Sequence, residues 1–282
     1  MTSILLGILA LILAPLAGGL IAGLDRRVTA RVQSRFGPPI LQPFYDVAKL
    51  FGKEPRMGNV WQIFCAYIYL LGAAVSVFLF FAGADLLLLF FVQAIGAVFL
   101  VFGALARPSP YSQIGAQREL MQILTYEPLL ILVFVGLAKA TGSFKVAVIW
   151  SHPEPLLLQL PLLYLVLTTA LSIKLRKSPF DFSTSHHGHQ EIVKGVLTEY
   201  SGPYLGLIEL AHWYEVVLVL GICALFWSTG IIGLAILLGV TYFAEILVDN
   251  TTARLTWRWM LGSALLAGLA LSFLNLVWLY LA

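Results

Sequence analysis

Eight stretches of the chain are long and apolar enough to cross a lipid bilayer: roughly Ser3–Leu24, Trp61–Ala84, Leu86–Ala106, Glu119–Ala138, Leu156–Ile173, Pro203–Phe226, Ile231–Val248 and Trp259–Leu281. A spanning helix needs about 20 mostly apolar residues. In hydrocarbon each backbone polar group must find its partner within the segment, so these runs predict helices. The expected fold class is an all-α integral membrane protein of about eight transmembrane helices, a single membrane domain over residues 1–282. The junctions near Ala84–Asp85 and Ser228–Gly230 are so short that the helices flanking each must form antiparallel hairpins. The first run lacks a basic leader and is long enough to span, so it is read as a retained helix rather than a signal peptide.

Composition strengthens this reading. The chain is 60% hydrophobic and 11% charged, against about 25% charged in average chains. The distribution of the 17 Lys and Arg residues is more informative than the net charge of +3. The loops after spans 1, 3, 5 and 7 carry 15 of them, and Lys139 and Lys145 alone fall on the other side. By the positive-inside rule both termini lie outside and the two long basic loops, about 25–59 and 176–201, face the cytoplasm. Cys65 and Cys223 sit far apart in apolar runs and cannot form a four-thiolate site, so no iron–sulfur cluster is expected in this chain.

Within the first loop, Pro43 can open a short helix with Phe44, Val47, Ala48 and Phe51 on one face and Asp46, Lys49 and Lys53 opposite. That is the pattern of an amphipathic helix lying in the membrane interface. The spans also contain acids: Glu119 and Glu127, Glu209 and Glu215, then Glu245 and Asp249. A charge near the bilayer centre costs about 2.5–3.5 kcal/mol on insertion scales, so such residues face cavities or carry ions. Glu119 and Asp249 fall at helix ends, while the other four lie deeper. Glu119 and Glu127 are separated by about 80° around a helix, Glu245 and Asp249 share a face behind Tyr242, and Glu209, His212 and Glu215 form a ladder of titratable groups. Acids with no counter-charge can exchange protons near neutrality. Pro128, directly after Glu127, removes a helix hydrogen bond and is expected to open the ladder there.

The order of residues in the basic loops carries a resemblance. Arg27-Val-Thr-Ala-Arg-Val-Gln-Ser-Arg-Phe-Gly-Pro-Pro and Leu41-Gln-Pro-Phe-Tyr-Asp-Val-Ala-Lys-Leu-Phe-Gly-Lys-Glu54 resemble the first loop of respiratory complex I subunit 1. They look still more like the equivalent subunit of group 4 energy-converting [NiFe] hydrogenases, of the formate hydrogenlyase or CO-induced type, because Gly37-Pro38-Pro39-Ile40 joins directly to Leu41. In the second loop Lys177-Ser-Pro-Phe-Asp181 and Thr198-Glu-Tyr-Ser-Gly202 match family motifs. Between them Ser183-Thr-Ser-His-His-Gly-His-Gln-Glu191 replaces the acidic run that lines the quinone passage of complex I. Leu124-Thr-Tyr-Glu127 matches the family's helix 4 motif. Glu199, with Glu209 or Glu215, corresponds loosely to acidic positions around its helix 6.

The resemblance implies a non-catalytic, ion-translocating membrane anchor of an oxidoreductase complex, multi-pass in the plasma membrane of a bacterium or archaeon. The ion, proton or sodium, would pass Glu119, Glu127, Glu199, Glu209, His212, Glu215, Glu245 and Asp249. A soluble arm would dock on Arg27, Arg31, Arg35, Gln42, Asp46, Lys49, Lys53 and Glu54, and on Asp181, His186, His187, His189 and Glu191. The implied partners are the hydrogenase large and small subunits, a ferredoxin-like iron–sulfur subunit, an antiporter-like membrane subunit and membrane lipid, with no nucleic acid. The [NiFe] centre and the iron–sulfur clusters would sit in those partners, and no cofactor in this chain. His186, His187 and His189 have no thiolate or second cluster nearby, so surface packing or proton handling is expected of them rather than metal binding. Two other readings stand beside this one: the quinone-reactive proton-channel subunit of a complex I-like NADH dehydrogenase, and a free-standing secondary transporter. Such transporters commonly show internal repeats, and none is visible here.

Overall fold

The computed structural model describes residues 2–56, 59–177, 194–253 and 255–281. Asp181, His186, His187, His189 and Glu191 lie outside these described residues. Seven helices are long and apolar enough to cross a membrane. These are α1 (Thr2–Val32), α3 (Val60–Phe81), α4 (Leu86–Leu105), α5 (Pro110–Thr141), α9 (Gly202–Ala224), α10 (Ile231–Thr251) and a last one over Trp257–Leu281. The last comprises α11 (Trp257–Trp259), a π-helical turn (Met260–Ala264) and α12 (Leu265–Leu281). Between them lie α2 (Gln42–Phe51), α6 (Val146–Trp150), α7 (Leu156–Gln159), α8 (Pro161–Lys174) and a 3-10 turn at Gly195–Leu197.

The expected fifth span is where pattern and fold part. Leu156–Ile173 reads as one apolar run, yet it folds as the four-residue α7, a break at Leu160 (φ −125°, ψ 46°), and the 14-residue α8. Pro161 disfavours helical backbone in the residue before it and opens α8 instead. The freed backbone groups are satisfied from a distant helix. The Asn275 side-chain oxygen on α12 accepts from the amides of Leu162 (2.9 Å) and Leu163 (3.0 Å), and its amide donates to the Gln159 carbonyl (3.1 Å). Irregular backbone at membrane depth is tolerated only when buried and paired in this way. Asn275→Ala leaves these groups in a site with no exposure, at about 1–3 kcal/mol for a buried polar group left unmade. A lowered thermal midpoint of the detergent-purified protein is the expected result, and an unchanged midpoint contradicts this account.

Two other boundaries shift. α1 continues past its apolar part to Val32, so Arg26, Arg27 and Arg31 stand on a helix and not in a loop. α5 begins at Pro110 and runs unbroken through Pro128, which therefore does not open the helix as expected. Asp85 starts α4 by accepting from the Leu87 amide (2.8 Å), and Gly83 (φ +76°) supplies the left-handed turn that folds α3 back onto α4. That hairpin packs along its length. α10, by contrast, contacts α1, α8 and α9 only sparsely, and just 17% of its apolar window is buried. α9 lies at the centre, against α1, α2 and α3. At Gly18 a side chain would meet the Trp213 backbone at 2.4 Å, so glycine there sets the close approach of α1 and α9.

α2 forms where Pro43 opens it and packs on α9 through Pro43, Phe44, Val47 and Leu50; the Phe44 and Trp213 rings are 5.1 Å apart. Asp46 does not sit opposite the packed face as the pattern suggests. It turns toward α1 and accepts from Arg26 (2.7 Å) and Gln42 (2.9 Å). Burial alone would raise its carboxyl, but these two hydrogen bonds and the Arg26 and Lys49 charges outweigh it and hold it below the ordinary value.

Candidate functional site

Polar side chains converge where α3, α4, α5, α8 and α9 meet. Glu215 on α9 is 7% exposed. It accepts from the Tyr69 hydroxyl of α3 (2.8 Å) and from the Gln93 amide of α4, with the Lys174 ammonium of α8 at 3.7 Å. Lys174 also lies 5.2 Å over the Tyr126 ring of α5 and acts electrostatically on Glu127. One turn before Glu215, His212 faces Tyr69 (ring centroids 5.7 Å) and lies 2.7 Å from the Arg176 guanidinium. A guanidinium can only donate, so Nε2 of His212 accepts and its ring proton sits on Nδ1. The other arm of Arg176 reaches Glu119 on α5 at 2.9 Å.

These contacts correct the expectation of uncompensated acids. Lys174 compensates Glu215 and Arg176 compensates Glu119, with side chains 6% and 12% exposed. By hydropathy both cations count as loop charges, because the apolar run ends at Ile173. They come into the interior because α8 is short and stops among the other helices. Arg176 takes a left-handed backbone (φ +54°), which turns the next residue another way. Lys177 therefore pairs with Asp25 of α1 (2.8 Å) and lies 5.0 Å over Tyr242 of α10. Beside it Glu245, 5% exposed, accepts from Ser172 (2.5 Å) and feels the charges of Lys177 and Asp249.

Of the predicted pathway residues, Glu119, His212 and Glu215 thus share one cluster through Arg176 and Tyr69, while Glu127 is half-buried at its edge near Lys174. Glu209 lies one turn nearer the basic end, within the fields of Lys194, Arg26 and Arg176. Glu245 and Asp249 belong to the neighbouring cluster around Lys177, and Glu199 pairs with Arg107 at 3.5 Å. Gln62, Gln122 and Tyr200 are buried with side-chain atoms that find no hydrogen-bond partner, a polar lining that suits water. Sequence reasoning missed Tyr69, Gln93, Lys174, Arg176 and Lys177. The available signal was Gln93, an amide in the middle of an apolar helix, and Pro161, which sets where α8 begins. Among the docking residues, Arg35, Lys49, Lys53 and Glu54 are exposed together at the basic end, whereas Gln42 is spent on Asp46. No group of three His, Cys, Asp or Glu side chains able to hold a metal occurs among the described residues.

A family model described as NADH dehydrogenase matches residues 4–280. Hydrogenase-4 component C of Escherichia coli is 32% identical over 72% of this chain and 67% of its own length. Formate hydrogenlyase subunit 4 of the same organism is 30% identical over 67% of this chain and 66% of its own. A membrane subunit of the NADH-quinone oxidoreductase of Rubrobacter xylanophilus is 32% identical over 67% of this chain and 63% of its own. The matches span about two-thirds of these relatives. Among solved structures, a chain of a membrane-bound sulfane sulfur reductase, an archaeal respiratory membrane complex, superposes with a TM-score of 0.84 at 23% identity, covering 98% of this chain and 100% of that one.

Proposed function

The chain belongs to the NADH dehydrogenase family, whose members include membrane subunits of hydrogenases and of NADH-quinone oxidoreductases, and from that premise we propose that it is the membrane-anchoring, proton-translocating subunit of an energy-converting [NiFe] hydrogenase. Ferredoxin-type electron transfer and H2 chemistry would take place in a soluble arm seated on the exposed Arg35, Lys49, Lys53 and Glu54. This chain would carry the ion and no redox centre. Two features favour the hydrogenase over the quinone-reactive reading: the direct join of Gly37-Pro38-Pro39-Ile40 to Leu41, and the His-rich segment 183–191 in place of an acidic run. The hydrogenase-4 and formate hydrogenlyase relatives point the same way.

The observation that carries the translocation reading is the continuous buried network Glu119–Arg176–His212–Tyr69–Glu215–Lys174. Each member is a titratable or fixed charge, and each touches the next. Two cations fixed at its centre oppose entry of a sodium ion, since like charges about 4 Å apart repel by on the order of 4 kcal/mol at an effective dielectric near 20. A proton meets no such barrier, because it moves by exchange between groups already present. The network also lies near the basic end, where a charge change in a docked arm would be felt.

The composition of the purified complex tests the assignment. Nickel with several iron–sulfur clusters, no flavin, and H2 evolution that generates a membrane potential without added sodium are expected. Flavin and bound quinone without nickel would overturn the hydrogenase reading. A potential strictly dependent on sodium would overturn the choice of ion.

A further inference from the structure

Most basic side chains at the loop end of the bundle already hold an acid. Arg26 binds Asp46 at 2.7 Å, Lys177 binds Asp25 at 2.8 Å, Arg56 binds Glu54 at 2.9 Å and Arg107 lies 3.5 Å from Glu199. Arg27 and Arg31 differ. Both are exposed, and among the described residues neither makes an ion pair or hydrogen bond with an acid; Arg31 lies over the Phe36 ring at 5.4 Å. They are four residues apart on α1 and so project from one face of it, a turn apart.

That face borders a cleft of about 520 Å³ between α1 and α10, lined by Leu24, Val28 and Val32, by Phe243, and by the two arginines. Gln33 and Asn250 close its loop end with a 2.6 Å hydrogen bond. Its long apolar wall ends where the two guanidiniums begin. α10 leaves the cleft open because it packs so little of its surface against the other helices.

We propose that this cleft is a binding site for an anionic phospholipid, with the phosphate held between Arg27 and Arg31 and an acyl chain laid along Val28 and Phe243. The charge and the apolar wall point to one molecule. Guanidiniums pair with phosphate oxygens in bidentate fashion, and basic pockets between transmembrane helices on the cytoplasmic side suit acidic headgroups. A free phosphate gains nothing from the apolar wall, and a zwitterionic lipid brings a cation of its own toward the arginines. The bound chain fills the seam between α1 and α10, and so steadies the helix that carries Glu245. The site follows from this chain's own surface and holds whichever enzyme the arm contains.

The test is the lipid content of the intact complex, purified in mild detergent and washed extensively, from wild type and from Arg27→Gln/Arg31→Gln. The proposal expects anionic phospholipid retained in wild type and lost from the double variant, with zwitterionic lipid the same in both. Adding phosphatidylglycerol to delipidated wild type should raise its thermal midpoint and leave that of the variant unchanged, and inorganic phosphate should not substitute. Equal retention, an equal response in the variant, or a full response to inorganic phosphate overturns it. So does cross-linking that places Arg27 and Arg31 beneath a soluble subunit. Where the double variant fails to assemble, Val28→Trp fills the cleft and keeps both arginines. It should lose the lipid, and retention at the wild-type level refutes the site.

Discussion

Glu215→Gln is expected to bring the membrane potential generated during turnover to background and to destabilise the protein at the same time. The substitution removes the acid 3.7 Å from Lys174 and leaves that ammonium buried with a side chain 6% exposed. Breaking a buried pair from one side costs about 3–5 kcal/mol, because the remaining charge has no partner. A single variant would therefore confuse lost folding with lost transport. The double variant Lys174→Met/Glu215→Gln separates them, since replacing both charges by groups of similar volume is often neutral or stabilising. Its thermal midpoint should recover toward wild type while the potential, read with a voltage-sensitive dye in proteoliposomes, stays at background. A double variant that folds and pumps normally would reduce Glu215 and Lys174 to packing.

Arg176→Lys should retain assembly and electron transfer but uncouple them from translocation. Arginine presents five donors in a planar fork, and here one arm meets His212 at 2.7 Å and another Glu119 at 2.9 Å. A lysine is a point charge on a flexible stem and cannot hold both in that geometry. The charge that compensates Glu119 is kept, so the large penalty of an unpaired buried acid is avoided. What is lost is the link between α5 and α9 and the donor that fixes the His212 ring. Hydrogen evolution at an unchanged rate with a sharply reduced potential is the expected pair of measurements. Wild-type coupling in this variant would show that the network does not depend on Arg176 bridging two helices. Arg176→Gln, which strips the charge as well, should in addition lower the thermal midpoint, again by about 3–5 kcal/mol.

Much of the scaffold was legible because a bilayer leaves the chain few choices. Seven of the eight apolar runs became long helices, and the short helix opened by Pro43 lies at Gln42–Phe51. The eighth run was misjudged because hydropathy counts apolar residues and is blind to the backbone at Leu160, where Pro161 interrupts the ladder. The acids of the network were equally legible, being rare in such surroundings. Their partners were not. Lys174 and Arg176 stand just past the apolar stretch and look like the ordinary basic flank of a span. Tyr69 and Gln93 come from α3 and α4, 146 and 122 residues away from Glu215, and pairing across that distance is decided by packing.

The early stop of α8 works as a ruler. Measured from Pro161, 14 residues carry the helix about 21 Å, which delivers Lys174 to Glu215 and, through the left-handed step at Arg176, aims the next two cations at different neighbours. Each residue added or removed along that length would turn the delivered ammonium by about 100° and slide it by about 1.5 Å. The stretch from Pro161 to Lys177 can thus exchange one apolar side chain for another quite freely, but it cannot change its length.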